Sequence, residues 1–115
     1  MAKSRFKQLS ASLAVALIAG LTTVVRASDG GAELRFENYR FTPQRLDVPA
    51  GQPLTIKVVN ASKEPIEFES FKLNREKVVE PGETITVHLP ALSPGSYDFY
   101  DDFHKDVPEG SIIAK

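Results

Sequence analysis

The chain contains no cysteine, so disulfide bonds, thiolate zinc sites and cysteine nucleophiles are all excluded. The residues that follow the first 27 show no sustained 3.6-residue apolar repeat with capping residues, so helices are not expected to build the fold. The sequence also lacks a glycine-rich phosphate loop, a nucleophile elbow and an HExxH motif, which argues against hydrolase chemistry. With 115 residues, of which 42% are apolar and 25% charged, the composition indicates a single folded domain.

The first 27 residues have the order of regions that is typical of a secretory signal. A short basic segment, Met1–Lys7, precedes an apolar run from about Leu9 to Val25, and Val25-Arg26-Ala27 has the small or apolar residues of a cleavage site. We expect cleavage after Ala27, which would leave residues 28–115 as one domain. The alternative is an uncleaved membrane anchor, but serine, glycine and threonine interrupt the run and make a stable membrane span less favourable.

Removal of the leader changes the charge of the protein. Four basic residues leave with it, so that 10 basic residues remain against 15 acidic residues and the net charge becomes −5. An acidic surface argues against nucleic acid and against an anionic membrane as direct partners. It is compatible with cation binding, although many acidic proteins carry such a charge only for solubility.

Short alternating segments separated by proline and glycine indicate an all-β sandwich. Leu54–Val59 is rich in β-branched residues and is predicted to be a central strand, and Thr84–Leu89 alternates between apolar and polar residues. About seven such strands are expected. The segment Phe71–Val79 is the one place where a short helical turn or an irregular loop is expected.

A cluster of polar side chains near the C-terminus could hold a cation. Asp101, Asp102 and His104 lie within four residues of one another, so a tight loop could turn them toward one ion, with Phe103 packed beneath them. The alternative is a solvated acidic turn with a surface histidine, because a lone histidine usually binds no metal.

Further carboxylates precede this cluster. Glu67 and Glu69 are two residues apart and should share one face of a strand, which could equally be an ordinary solvated face. Glu76 is either a third ligand or an exposed loop charge. His88 is interpreted as a surface histidine on the polar face of its strand.

Two sequence patterns, one in the first half of the domain and one near its C-terminus, together resemble the cupredoxin domains. The first pattern is Phe41-x-Pro43-x-x-Leu46-x-Val48-Pro49-Ala50-Gly51 followed by Val58-Val59-Asn60. The second is Pro94-Gly95-x-Tyr97-x-Phe99 with Gly110-x-Ile112. The resemblance covers nearly all of the chain after the leader. It implies a cupredoxin-like Greek-key β-sandwich.

Within that class the sequence resembles the EfeO-type cupredoxin-like domains of bacterial periplasmic iron-uptake systems. The likeness is carried by Asn60, Glu67-Phe68-Glu69, Arg75–Val79 and Pro81-Gly82, while Phe103-His104 resembles the free-standing members that accompany Ftr-type iron permeases. The resemblance implies a periplasmic protein with an iron permease or a periplasmic iron-binding subunit as its partner. It also implies copper or iron ligands at Glu67, Glu69, Glu76, Asp102 and His104.

The chain departs from ordinary blue-copper proteins at their ligand positions. Ile66 stands where the first histidine would be, Asp101 where the cysteine would be, and Pro108 near the axial methionine. The remaining oxygen and imidazole donors suit Cu(II), Fe or Mn and suit Cu(I) poorly. The predicted cofactor is therefore Cu(II) or Fe, with Glu67, Glu69, Glu76, Asp101, Asp102 and His104 as the residues of the site.

Three functions are compatible with these features. The first is a periplasmic metal-binding protein that assists iron uptake, with oxidation of Fe(II) or electron transfer as an extension that would need a redox metal. The second is a metal-free module that docks on a transporter subunit, and the membrane would then be reached only through that partner. An enzyme proper ranks last, because a domain of this size has no evident substrate cleft.

Overall fold

The computed structural model describes residues 24–26 and 31–115. From Gly31 onward nine strands follow one another, and the short strand β1 precedes them. The strands are β1 (Val24–Arg26), β2 (Gly31–Glu37), β3 (Arg40–Thr42), β4 (Arg45–Val48), β5 (Leu54–Asn60), β6 (Ile66–Ser70), β7 (Arg75–Val79), β8 (Thr84–Leu89), β9 (Gly95–Asp101) and β10 (Gly110–Ala114). No helix among these residues is long and apolar enough to cross a bilayer.

Two sheets pack face to face, which confirms the predicted all-β sandwich. One sheet has the strand order β1-β4-β10-β9-β6-β7, and the other has the order β3-β2-β5-β8. Strands β2 and β5 are parallel, as are β4 and β10, while β9 runs antiparallel to both β6 and β10. This mixed pairing brings β6 and β9, which are distant in sequence, side by side in the first sheet.

Alternation along the strands supplies the core between the sheets. In β5, which confirms the predicted central strand, Leu54, Ile56 and Val58 are buried while the side chains between them are more exposed, as the period of two of any strand requires. Four phenylalanines meet in the middle, with the Phe41 ring 5.1 Å from those of both Phe36 and Phe99. Full burial of each such side chain is worth about 1.5–3 kcal/mol, so this cluster holds the sheets together.

The segment Phe71–Val79 differs from the expectation of a helical turn or irregular loop. Only its first part is a turn, closed by Asn74 in the left-handed region at φ 53°. The rest is β7, which pairs antiparallel with β6 along its whole length. Because β7 lies at the sheet edge and buries only Val79, its sequence carries little of the apolar alternation that marks a strand.

The leader predicted for residues 1–27 falls almost entirely outside the described residues. Only Val24–Arg26 is described, as β1, which pairs in parallel with β4. Cleavage after Ala27 would remove β1 and leave β4 as an edge strand.

A substitution at Gly110, the first residue of β10, tests the packing of this sheet. A Cβ there would lie 2.5 Å from Cε2 of the buried Phe99 ring and 2.9 Å from the carbonyl oxygen of Gln44. We therefore expect Gly110→Ala to lower the free energy of unfolding by about 1–3 kcal/mol, measured by urea denaturation. Gly95→Ala is the matched control, since its nearest contact is 3.9 Å away; equal stability of the two variants would contradict this packing.

Candidate functional site

Three carboxylates meet on the outer face of the first sheet. Ile66 and Phe68 of β6 point into the core, so alternation places Glu67 and Glu69 on the opposite face. The β6–β7 register sets Glu76 directly opposite Glu69. One carboxylate oxygen from each of Glu67, Glu69 and Glu76 lies within 4.8 Å of the other two, and these three residues are called the acidic group.

The acidic group raises the pKa of Glu67. A hydrogen bond shared with Glu76, then burial, then the charges of Glu76, Asp102 and Glu69 raise the pKa of Glu67 to about 7. Within residues 24–26 and 31–115, no lysine or arginine forms an ion pair with any of the three carboxylates. Among the described residues, no direct ion pair therefore neutralises the three carboxylates.

Two further side chains border the acidic group on the β9 side. Asp102 lies close enough for its charge to raise the pKa of Glu67, and its backbone N–H donates to the Glu67 carbonyl at 3.0 Å. Tyr100 lies opposite Glu69 in the β6–β9 register. Burial and then the Glu69 carboxylate raise the pKa of the Tyr100 phenol, which keeps it protonated beside the group.

A second group lies where β9 ends and the last loop begins. The Nδ1 atom of His104 is 2.5 Å from Oδ2 of Asp101, and its Nε2 atom is 2.9 Å from Oε2 of Glu64. The Asp101 side chain is fully buried, whereas that of Glu64 is half exposed. Asp101, His104 and Glu64 are called the imidazole group.

Two carboxylates flank the one imidazole and set its titration. Burial by itself lowers the pKa of His104, but the hydrogen bond and charge of Asp101, followed by those of Glu64, outweigh burial and raise it. The charged ring therefore stabilises the fold fully at a pH below about 6.5, the pKa of histidine in an unfolded chain. This stabilisation is lost as the pH rises through the higher pKa of His104 in the folded protein.

Of the predicted site residues, the structure gathers Glu67, Glu69 and Glu76 into one group. The His104 ring contacts Asp101 and Glu64 instead of a member of that group. The predicted convergence of the strand carboxylates with His104 at one ion stays a prediction. Metal binding by any of the six predicted residues stays a prediction.

Sequence reasoning missed Glu64 as a partner of His104. Glu64 lies in a loop 40 residues before His104, so no local spacing connects the two. His88 is exposed on β8 of the second sheet, as its interpretation as a surface histidine requires.

The raised pKa of Glu67 makes stability depend on pH. The pKa of Glu67 is about 7 in the folded protein, above its ordinary value of 4.5. Between these two pH values the folded protein binds more protons than the unfolded chain, so the free energy of unfolding falls as the pH rises. Glu67→Gln should reduce that fall, because an amide keeps a hydrogen-bond donor toward Glu76 without the charge. Urea midpoints measured from pH 4.5 to pH 8 test this, with Glu33→Gln on β2 as the control that keeps the full slope. An unchanged slope in Glu67→Gln would contradict the assignment.

Solved structures with the same architecture include copper proteins. The metal-binding domain of the Cu(I)-exporting P-type ATPase CopA of Streptococcus pneumoniae D39, solved with Cu(I), superposes with a TM-score of 0.72 at 18% identity, over 84% of this chain and 99% of that one. Amicyanin from Paracoccus versutus superposes with a TM-score of 0.60 at 18% identity, over 77% and 85% of the two chains. At such identities the likeness shows the shared fold.

The donor set of this chain does not fit a blue-copper centre. Such a centre needs one thiolate and two imidazoles, with a weak axial ligand that is usually methionine. The chain has no cysteine, its single methionine is Met1, and its two histidines are His88 on β8 and His104 in the last loop. Ile66, at the position of the first histidine ligand, is completely buried in the core.

A relative in Rickettsia prowazekii, itself uncharacterised, is 37% identical over 82 residues. The match covers 71% of this chain and 66% of the relative, so this chain spans just under two thirds of the relative's length. A family model described as a cupredoxin-like domain matches residues 9–114. Together with the two-sheet architecture, this match shows that the chain belongs to the cupredoxin-like domain family.

Proposed function

We propose that this chain is a periplasmic metal-binding protein that holds an iron or copper ion at the acidic group and serves a bacterial iron-uptake system. The proposal depends above all on one observation, the approach of three carboxylate oxygens to within 4.8 Å of one another. The fold family and its copper-binding structural neighbours support metal handling in general.

The chemistry of the acidic group favours hard or borderline cations. Carboxylate oxygens suit ions such as Mn(II) and iron, and Cu(II) would exceed Mn(II), Fe(II) and Zn(II) in affinity at the same donors. A cation would replace the proton held between Glu67 and Glu76, since ligands must be deprotonated. Because the pKa of Glu67 is about 7, that proton is lost at little cost near neutral pH.

Contacts that do not use the three carboxylates hold β6 and β7, the strands that carry the acidic group, in place. The β6–β7 register fixes Glu69 opposite Glu76, and Asn60 donates a hydrogen bond of 2.9 Å to the Val79 carbonyl at the end of β7. The nearby Arg75 guanidinium donates to the carbonyls of Leu73, Asn74 and His88. The carboxylates therefore stay available to a cation.

Titration with Fe(II) and with Mn(II) under anaerobic conditions tests this function. We expect near-stoichiometric binding with proton release, and at least a tenfold (about 1.4 kcal/mol) loss of affinity in Glu67→Gln and in Glu76→Gln. Glu33→Gln, an exposed carboxylate on the other sheet, is the matched control and should bind as the parent does. Binding no stronger than chelator background, or equal binding by all four proteins, would refute the proposal.

A second function, docking on a transporter subunit without a metal, has one observation in its favour. The turn before β7 exposes 90% of Phe71, and Val78 and Phe103 are each about half exposed. Large apolar side chains on an acidic face are typical of contact surfaces. If the titration shows no cation binding, this function becomes the better one, with an iron permease or a periplasmic iron-binding subunit as the proposed partner.

Periplasmic localisation rests on the N-terminal pattern and has its own test. Expression of the full chain in a Gram-negative host should release a periplasmic protein that begins at Ser28 and contains residues 28–115. Intact mass and N-terminal sequencing check this result. Recovery of a chain that begins at Met1 in the membrane fraction would instead support an uncleaved anchor.

A further inference from the structure

Glu69 lies between two cross-strand neighbours on the outer face of the first sheet. Glu76 is opposite it on the β7 side, and Tyr100 is opposite it on the β9 side. Residues directly opposite each other on paired strands have Cβ atoms about 4.5–5.5 Å apart, so both neighbours can reach the Glu69 carboxylate. One neighbour is a second carboxylate, whereas the other is a phenol that can donate a hydrogen bond.

Alternation along β9 directs the Tyr100 side chain to this face. Phe99 and Asp101, the residues on either side of it, are buried, whereas Tyr100 is partly exposed. Its ring therefore lies on the outer face of the sheet, beside Glu69. Burial, the charge of Glu69 and a hydrogen bond to the Glu69 carboxylate raise the pKa of Tyr100, so its hydroxyl keeps the proton that it donates.

Tyr100 faces carboxylates on more than one side. The charges of Asp102 and Glu109, in addition to that of Glu69, act on its phenol. In the part of the chain that the structure describes, no lysine or arginine forms an ion pair with Glu69. A neutral donor rather than a cation therefore holds this carboxylate, and the charge of the acidic group is left for a bound ion.

A hydrogen bond from a phenol restricts how a carboxylate can bind an ion. An ionised carboxylate has two oxygens that can each accept a hydrogen bond or bind a cation, and a proton donor on one of them leaves the other as the better ligand. Carboxylate ligands in metal sites are usually held by such an outer hydrogen bond, and its loss weakens metal binding about 10–100-fold. Ca(II), which takes about six to eight oxygen ligands, often binds a carboxylate through both oxygens.

We infer that Tyr100 is a positioning residue of the acidic group: its phenol holds Glu69 to binding through one oxygen, so that the group takes a transition-metal ion such as Fe(II) or Mn(II) in preference to Ca(II). This inference rests on the proposed function, because Tyr100 acts on the ion only through Glu69. It adds a basis for the choice between ions, since carboxylates alone suit Ca(II) and Mn(II) alike.

Affinities for Mn(II) and for Ca(II), each added alone to the metal-free protein, test this role. Tyr100→Phe removes the hydroxyl and keeps the ring. It should weaken Mn(II) binding about tenfold and Ca(II) binding less, so that the preference for Mn(II) narrows. Tyr97→Phe is the matched control on the same strand, because the Tyr97 hydroxyl donates to the Ser93 carbonyl instead. It should bind both ions as the parent does, and thermal unfolding checks that both variants are folded.

A double variant separates an effect through Glu69 from a structural effect of the ring. In Glu69→Gln the carboxylate that the phenol holds is absent, so the addition of Tyr100→Phe should weaken Mn(II) binding no further. Raman spectroscopy of the metal-free protein tests the hydrogen bond without an ion. The Fermi doublet of tyrosine reports whether the hydroxyl donates, and the difference between the parent and Tyr100→Phe should show a donor.

Each contrary outcome overturns the inference. An unchanged affinity and preference in Tyr100→Phe, with weaker binding in Glu67→Gln, would refute the positioning role and still support the proposed function. A further loss in the double variant, or a Tyr100 hydroxyl that donates to no acceptor, would also refute it. A parent protein that binds neither ion above chelator background would refute the proposed function and this inference with it.

Discussion

The buried carboxylate of Asp101 is the constraint on which both groups of side chains depend. It accepts two backbone N–H groups, from the start of β6 and from the loop after β9, and it also binds the His104 ring. Loss of such a carboxylate would leave buried donors without partners, which costs about 1–3 kcal/mol for each. Asp101 thereby joins two segments more than thirty residues apart and sets the direction of the only imidazole in that loop.

The two groups on either side of this link have different chemistry. The acidic group offers carboxylate oxygens that range from the buried Glu67 to the exposed Glu76. The hydrogen bond that Glu67 shares with Glu76, then burial and the neighbouring charges raise the pKa of Glu67 to about 7. The imidazole group combines one ring with two carboxylates, one fully buried and one half exposed, at the end of the sandwich. The two groups therefore differ in the chemical type of their polar atoms.

The chain has the cupredoxin architecture without the donors of a blue-copper centre. Ile66, where the resemblance expects the first histidine, packs in the core, and Asp101, where it expects the cysteine, accepts backbone hydrogen bonds. These contacts hold the end of the sandwich together without a thiolate. The shared fold consequently says nothing by itself about the chemistry of this chain, which depends on its own side chains.

Alternation and turn residues, which are local properties, were enough for the sequence to determine the sandwich, the central strand β5 and the outward face shared by Glu67 and Glu69. Local patterns failed at β7, an edge strand with one buried side chain, because pairing with β6 rather than apolar periodicity makes it a strand. They also gave no sign that Glu64 contacts His104. Only the tertiary structure decided that contact, since the burial of Asp101 and the approach of Glu64 across 40 residues depend on how the chain folds.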